Sequence, residues 1–213
     1  MGSPSRRQLL GLAGVVTLSA CASNVPAAGG SGPAVILLIR HAEKPDGSGK
    51  PYGITIDGER SNGSLTVRGW NRAGALVELF APAAGQPARS GLDRPSAVYA
   101  AAPDGDKSQR PSQTVAPLAA RLGVTMNTSY GKGDEAALAS ELARRSDVTL
   151  VSWQHEDIPA IVAGLGPVSP VPPKQWPDDR FDVVWVFNRT ASGWAFSQVA
   201  QELLDGDGTG VIT

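Results

Sequence analysis

The feature that most constrains the fold is the stretch 34–41, in which six apolar residues are followed directly by Arg40 and His41. An unbroken apolar run is typical of a strand covered on both faces, as in parallel sheets that lie between two layers of helices. Ligands of such sheets bind at the carboxyl ends of the strands. The stretch therefore predicts an α/β fold with Arg40 and His41 at a ligand site, although a strand that simply ends in two polar residues would look the same.

The second histidine strengthens this interpretation. The chain contains two histidines, and His155 follows the mostly apolar run 148–153, which also predicts a strand. Both histidines thus lie where a predicted strand ends. We therefore expect His41 and His155 to share one site.

Four motifs occur in a particular order along the chain. They are Arg40-His41 after the strand, Leu65-Thr66-x-Arg68-Gly69-x-x-Arg72-Ala73 at the start of a predicted helix, Ser108-x-Arg110-Pro111-x-Gln113-Thr114, and His155. This ordered set resembles the histidine phosphatase (phosphoglycerate mutase-like) superfamily, and the resemblance covers the chain from Ala34 onward.

The resemblance implies a three-layer α/β/α sandwich around a mainly parallel central sheet. It also implies that His41 is the nucleophile, that Arg40, Arg110 and His155 complete a phosphate pocket, and that a phosphohistidine forms. One position departs from the pattern: the serine usually found four residues before the second arginine is Asp106 here, and Ser108 lies closer. An aspartate at that position would repel a phosphate.

The family also uses a carboxylic acid as proton donor. Glu135, at the start of a predicted helix, is the first choice, and Glu43, Asp134 and Glu156 are alternatives. Glu43 is in addition a candidate for substrate binding. Asp134 and Glu135 would equally suit a helix N-cap and a first-turn carboxylate.

These residue types suit phosphoryl transfer, whose loose and highly charged transition state needs a nucleophile and strong positive groups. Arginine matches phosphate oxygens two at a time, and nearby guanidinium charges should keep His41 neutral. The scheme needs no metal and no other cofactor. The sequence has none of the Cys/His spacings of a zinc site and no glycine-rich nucleotide loop.

The N-terminus predicts export. Arg6-Arg7 precede an apolar run, Leu9 to Ala20, that is short for a membrane-spanning helix, and this pair resembles a twin-arginine signal. Residues 18–21 resemble a lipobox, which makes Cys21, the only cysteine, the expected lipidation site. We therefore expect residues 1–20 to be a signal, 21–33 a flexible tether, and 34–213 the catalytic domain.

The remaining segments predict ordinary elements. We expect a long loop over 43–65, a helix capped by Thr66, a strand over 96–101 and a helix from Arg110 to Leu122 that ends at Gly123. We also expect a short strand within 124–130, a helix after Asp134, and a terminal hairpin over 181–187 and 194–199. Arg68 and Arg72 suit solvated or structural roles, and the 43–65 loop suits either substrate selection or a surface insertion.

Taken together, the sequence predicts a phosphatase that acts on a phosphorylated small molecule. We expect it to be held by an N-terminal lipid on the periplasmic or extracellular side of a membrane. The net charge of −1 gives no basic surface for nucleic acid. A phosphomutase of the same fold and a non-catalytic lipoprotein that binds phosphorylated ligands are the alternatives, and sugar, lipid, cell-wall or protein-histidine phosphates all suit such a site.

Overall fold

The computed structural model describes residues 1–2, 34–47, 49–105 and 107–213. Most of the predicted export signal, the tether, Cys21 and Asp106 lie outside the described residues. Within them no helix is long and apolar enough to cross a membrane.

The described chain forms six strands and four helices. The strands are β1 (Val35–Arg40), β2 (Ala97–Ala100), β3 (Val148–Trp153), β4 (Val168–Ser169), β5 (Val183–Thr190) and β6 (Gly193–Ala200). The helices are α1 (Val67–Phe80), α2 (Arg110–Leu122), α3 (Glu135–Arg144) and α4 (Ile158–Gly164).

The strands form one mixed sheet in the order β2-β3-β1-β5-β6-β4. β1 pairs in parallel with β3, as β2 does with β3 and β4 with β6, whereas β5 is antiparallel to both β1 and β6. Parallel pairings are therefore in the majority, and the antiparallel ones come from the predicted terminal hairpin. The expected mainly parallel sheet is confirmed.

The apolar run of β1 lies at the centre of the molecule, and all six of its residues are buried. Val35, Leu37 and Ile39 pack against α1 and α2, whereas Ile36 and Leu38 pack against α3 and α4 on the other face. Successive side chains of a strand point to opposite faces, so a strand between two helix layers needs apolar residues at every position. The three-layer α/β/α arrangement is confirmed.

Helix α1 begins as the sequence predicts. The Thr66 side chain accepts a hydrogen bond from the Gly69 amide at 3.2 Å and donates one to the Glu43 carbonyl at 3.2 Å. A Cβ at Gly69 would lie 2.5 Å from that same carbonyl oxygen. Glycine at position 69 therefore allows α1 to pack directly on the segment that follows β1.

The expected strand within 124–130 is wrong. Only Asn127 pairs with β2, through hydrogen bonds between its backbone and the backbones of Val98 and Ala100. The Asn127 side chain then accepts a hydrogen bond from the Ser129 amide at 2.9 Å. This local bond interrupts the regular ladder after one residue, and the next backbone hydrogen bond joins the Ala102 amide to the Tyr130 carbonyl at 2.7 Å.

Candidate active site

The parallel pairing of β1 and β3 brings the two histidines to the same edge of the sheet. Arg40 lies opposite Trp153 in the register, and the His41 amide donates to the Trp153 carbonyl at 3.0 Å. His155 follows two residues after β3. The predicted shared location of the histidines rests on this register. Burial lowers the pKa of each histidine, and the charge of the same Arg40 acts on both in that direction.

His41 is a buried, neutral imidazole with a defined tautomer. Its Nδ1 lies 2.8 Å from the Ala42 carbonyl oxygen, and because a carbonyl only accepts, Nδ1 carries the proton. The lone pair is therefore on Nε2. Burial lowers the pKa of His41 to about 3, and the nearby cations Arg110, Arg40 and Lys44 act in the same direction.

The backbone that follows His41 is hydrogen-bonded to helix α2. The Ala42 amide donates to Thr114 Oγ1 at 2.8 Å, and this hydroxyl donates to the Arg110 carbonyl at 2.8 Å. One short chain of hydrogen bonds thus links the histidine turn to the first residue of α2, so the positions of His41 and Arg110 depend on each other.

Arg40 is almost completely buried beneath the loop that precedes β5. Its Nη1 donates to the carbonyl oxygens of Pro177, Asp178 and Arg180, and its guanidinium carbon lies 3.8 Å from the centre of the Phe181 ring. Burial lowers the pKa of Arg40 to about 10, so it stays charged at neutral pH. Its Nε and Nη2 are buried and have no hydrogen-bond partner among the described residues. These two adjacent donors are available to an anion.

The guanidinium of Arg110, like that of Arg40, has one nitrogen that binds a backbone carbonyl and another that is buried without a hydrogen-bond partner among the described residues. Nη1 donates to the Asn62 carbonyl at 2.7 Å, whereas the buried Nε has no partner among the described residues. Asn62 belongs to the long loop between β1 and α1, so this loop takes part in holding the site. Burial lowers the pKa of Arg110, and Glu156 acts against that shift.

His155 lies between two carboxylates. Its Nε2 is 2.5 Å from Asp178 Oδ1, and its Nδ1 is 2.9 Å from Glu156 Oε2. Burial and Arg40 lower the pKa of His155, and the two carboxylates act against this. Asp178 is itself largely exposed, so its carboxylate approaches His155 from the solvent side.

Glu156 is the candidate acid whose charge acts on Arg40, Arg110 and His155 together. Burial alone would raise the pKa of Glu156, but a hydrogen bond from Lys132 at 3.1 Å and the charge of His155 hold it below its usual value. Glu156 also acts on the pKa of Arg40 and of Arg110. One of the three alternative proton donors is thus surrounded by the predicted site residues.

The other candidate acids have different partners. Both Glu135 oxygens accept from the Gly133 amide, and Oε1 also accepts from the Trp153 indole at 3.1 Å, behind the end of β3. Asp134 stands at the N-cap of α3 without a capping side-chain bond, and its Oδ2 accepts from the Gly131 amide at 2.9 Å. The structure does not bring either of them into contact with the histidines.

Glu43 belongs to a buried ionic cluster that the sequence does not reveal. Its carboxylate accepts from Arg72 at 2.8 Å and from Arg68 at 3.1 Å, and Arg72 also binds Asp207 at 2.7 Å. Asp207 comes from the C-terminal tail, which has no recognisable pattern. Of the solvated and structural roles expected for Arg72, the structure therefore shows the structural one. Glu43 likewise has a structural role, in addition to any role with substrate.

Two cavities meet at Glu156. The first, which we call the His155 cavity, has a volume of about 360 Å³ and is lined by His155, Glu156, Pro159 and Lys174 to Asp178. The second, the Arg110 cavity, has a volume of about 400 Å³ and is lined by Ala102, Pro103, Asp104, Ser108, Arg110, Gly131, Lys132, Gln154 and Glu156. A ligand held by Arg110 and Glu156 would therefore have room on both sides of the carboxylate.

No family model matches this sequence, and no curated protein matches it either. The chain is similar to a solved structure named as a candidate phosphohistidine phosphatase SixA from Nakamurella multipartitia, with 18% identity over 78% of this chain and 95% of that chain and a TM-score of 0.46. A second candidate SixA, from Agrobacterium tumefaciens, is 14% identical over 79% of this chain and 98% of that chain, also with a TM-score of 0.46. A structure named mycobacterial hydrolase 2 is 14% identical over 78% and 88% of the two chains, with a TM-score of 0.41. Similarities this low carry no information about the function of this protein.

Proposed function

We propose that this protein hydrolyses phosphomonoesters through a phosphohistidine formed on His41. The observation that carries the proposal is the state of His41: a neutral imidazole, its Nδ1 proton held by the Ala42 carbonyl, with Arg40 and Arg110 close enough to lower its pKa. Such a histidine has a free lone pair on Nε2 at neutral pH. The unpartnered donors of Arg40 and Arg110 supply the positive charge that a phosphoryl group requires.

The reaction has two steps in this proposal. The Nε2 lone pair of His41 attacks phosphorus, the ester P–O bond breaks, and the departing oxygen takes a proton from Glu156. The Glu156 carboxylate then removes a proton from water, whose oxygen attacks phosphorus as the P–N bond breaks. His41 returns to its neutral form, and Glu156 is protonated again. His155 and the two arginines bind the phosphoryl oxygens throughout.

The test uses the full-length protein and an aryl phosphate labelled with ³²P, in the presence of a chelator. We expect release of inorganic phosphate, and a quench during turnover should leave label on the protein. The label should survive alkali and be lost in acid, because phosphorus bound to an imidazole nitrogen has that stability. Tight phosphate binding without release or label would contradict the proposal and favour a binding protein.

Glu156→Gln is expected to lower kcat/KM for alkyl phosphates by about 100-fold, since their leaving oxygens need a proton. The loss of kcat/KM for aryl phosphates should be much smaller, because a phenolate leaves without a proton. This parameter reports only the steps up to formation of the phosphohistidine, so the later role of Glu156 as a base does not enter it. The matched control is Glu135→Gln, which changes the other candidate acid and should leave the ratio of alkyl to aryl rates unchanged. The reverse pattern would assign proton donation to Glu135.

We expect kcat/KM to be highest at acidic pH. His41 stays unprotonated down to about pH 3, and the pKa of Glu156 is held below its ordinary value of 4.5. A mechanism that needs neutral His41 and protonated Glu156 gives a bell-shaped dependence of kcat/KM on pH. Its fall at higher pH reflects loss of the proton from Glu156. We therefore expect kcat/KM to fall as the pH rises above 4.5, and a rate that increases up to pH 8 would refute this assignment.

Asp178→Asn should strengthen inhibition by inorganic phosphate severalfold. The Asp178 carboxylate faces His155 Nε2 at 2.5 Å, where it competes with a phosphate oxygen for the same donor. The backbone carbonyl of Asp178, which binds Arg40, is unaffected by this change. The matched control is Asp179→Asn, which removes the same charge from the neighbouring position. Equal effects of the two substitutions would show that only the net charge of the loop matters.

We propose further that the protein acts outside the cytoplasm and is held to a membrane by a lipid on Cys21. Support comes from the predicted signal and lipobox alone. Incorporation of a labelled fatty acid that is lost in Cys21→Ser would test it, and equal labelling of both proteins would contradict it.

A further inference from the structure

The Arg110 cavity is lined by two residues of the proposed mechanism. It lies between the segment that leads from β2 into α2 and the residues Gly131 and Lys132 that precede α3. Arg110, a proposed phosphate ligand, and Glu156, the proposed proton donor, both line it. The leaving oxygen must come within hydrogen-bond distance of the donor, so this cavity is a place where the rest of the leaving group can lie.

Three residues that line the cavity each carry a buried polar atom with no hydrogen-bond partner among the described residues. Ser108 Oγ, Arg110 Nε and Gln154 Oε1 are buried and make no hydrogen bond within the described residues. Buried polar groups are costly unless a ligand or water satisfies them. Arg110 Nε is the donor already assigned to the phosphoryl group. The other two atoms are a hydroxyl and an acceptor, and a substrate hydroxyl group can serve both because it donates and accepts.

The charges that line the cavity argue against a second anionic group on the substrate. Among the described lining residues, Arg110 and Lys132 are balanced by Asp104 and Glu156. Lys132 is already paired with Glu156 at 3.1 Å and with Asp157 at 3.3 Å. Arg110 is used by the phosphoryl group itself, so no cation is left for another phosphate or carboxylate.

The lining also argues against a large apolar leaving group. Its described apolar residues are Ala102 and Pro103, without an aromatic ring or a long aliphatic side chain. An aryl or acyl group would cover Ser108 and Gln154 without providing hydrogen bonds.

We propose that the Arg110 cavity binds the leaving alcohol, and that this alcohol is uncharged and rich in hydroxyl groups, as in a sugar monophosphate. The inference rests on the proposed phosphatase function and adds the substrate class. Ser108 and Gln154 are the specificity-determining side chains, and they contact hydroxyls of the alcohol rather than the phosphoryl group.

The test compares kcat/KM for a hexose 6-phosphate, a hexose bisphosphate and phenyl phosphate. The wild-type protein should prefer the hexose monophosphate. Ser108→Ala and Gln154→Ala should each lower kcat/KM for the hexose monophosphate about tenfold and change that for phenyl phosphate less than twofold. The matched control is Ser112→Ala. Ser112 Oγ is also buried without a partner in the described part of the chain, but Ser112 lines a different cavity, together with Trp70 and Met126.

The outcomes separate this inference from the proposed function. Equal losses for the hexose and phenyl esters, or no loss for either, would overturn the assignment of the cavity, while turnover that still depends on His41 would leave the phosphatase function in place. A wild-type preference for the bisphosphate or for phenyl phosphate would also overturn the substrate class. If the wild-type protein hydrolysed none of the three esters, the proposed function would fail and this inference with it.

Discussion

His41→Ala is expected to abolish turnover, with kcat/KM for an aryl phosphate falling by roughly 10⁴-fold or more, as is usual when a covalent nucleophile is removed. The labelled phosphoryl-protein should disappear in the same variant. The reason is specific to this position, because Nε2 of His41 is the only proposed site of attack and its tautomer is set by the Ala42 carbonyl. The measurement is phosphate release under single-turnover conditions.

His155→Asn serves as the comparison. It removes a group that binds the phosphoryl oxygens but does not attack phosphorus, so the label should still form, although more slowly. Phosphate release by His41→Ala at a rate near that of the wild type would eliminate His41 as the nucleophile. Loss of label in both variants would leave the nucleophile unassigned between the two histidines.

His41→Ala should also change how stability depends on pH. In the unfolded chain His41 takes up a proton near its ordinary pKa of 6.5, whereas in the folded protein its pKa is about 3. Between these values the unfolded state binds more protons, so the free energy of unfolding falls as the pH falls, by up to about 1.4 kcal/mol per pH unit. The alanine variant lacks this contribution, and urea titrations from pH 7 to pH 4 should show a correspondingly smaller loss of stability.

Arg72→Met is expected to destabilise the protein by about 3–5 kcal/mol, the usual cost of leaving buried charges unpaired. The Arg72 side chain is only 2% exposed and binds Glu43, Asp207 and Gln201. Methionine fills much of the same volume but leaves the Glu43 and Asp207 carboxylates without their main partner. Urea unfolding followed by circular dichroism measures the difference.

Arg68→Met is the matched control, because Arg68 contacts the same two carboxylates from a side chain that is 46% exposed. Exposed ion pairs contribute about 1 kcal/mol or less, so this variant should unfold close to the wild type. Similar losses for both variants would show that the cluster is held by net charge and not by the buried guanidinium.

The sequence predicted the parts of the fold that depend on local patterns. The apolar run of β1, the Thr66 cap and the Gly123 terminus of α2 each follow from a few neighbouring residues, and Gly123 has the positive φ of 70° that such a terminus requires. The shared edge of the two histidines was also predictable, because parallel strands place their carboxyl ends together. Neighbouring residues do not determine which distant groups a side chain contacts once its helix or strand has formed.

The choice between Glu135 and Glu156 as the proposed proton donor shows that limit. Glu135 and Glu156 both lie near the start of a helix, and helix position does not separate them. The difference comes from tertiary contacts: the Trp153 indole and the Gly133 amide hold Glu135, whereas Lys132 and His155 surround Glu156. The contacts of Asp207 with Arg72 and of Asp178 with His155 could not be predicted from the sequence either, since each joins distant segments whose sequences have no shared pattern.

The hydrogen bonds of Arg40 with residues 177–180 and the ion pair of Arg72 with Asp207 have a consequence for biosynthesis. The segment that carries Arg40 and the proposed nucleophile His41 is made early, yet the groups that bind Arg40 and Arg72 lie about 135 to 140 residues further along the chain. A nascent polypeptide that lacks residues 177–207 therefore cannot form these contacts. Under the proposed function, a protein truncated before residue 177 would be inactive even though His41 is present.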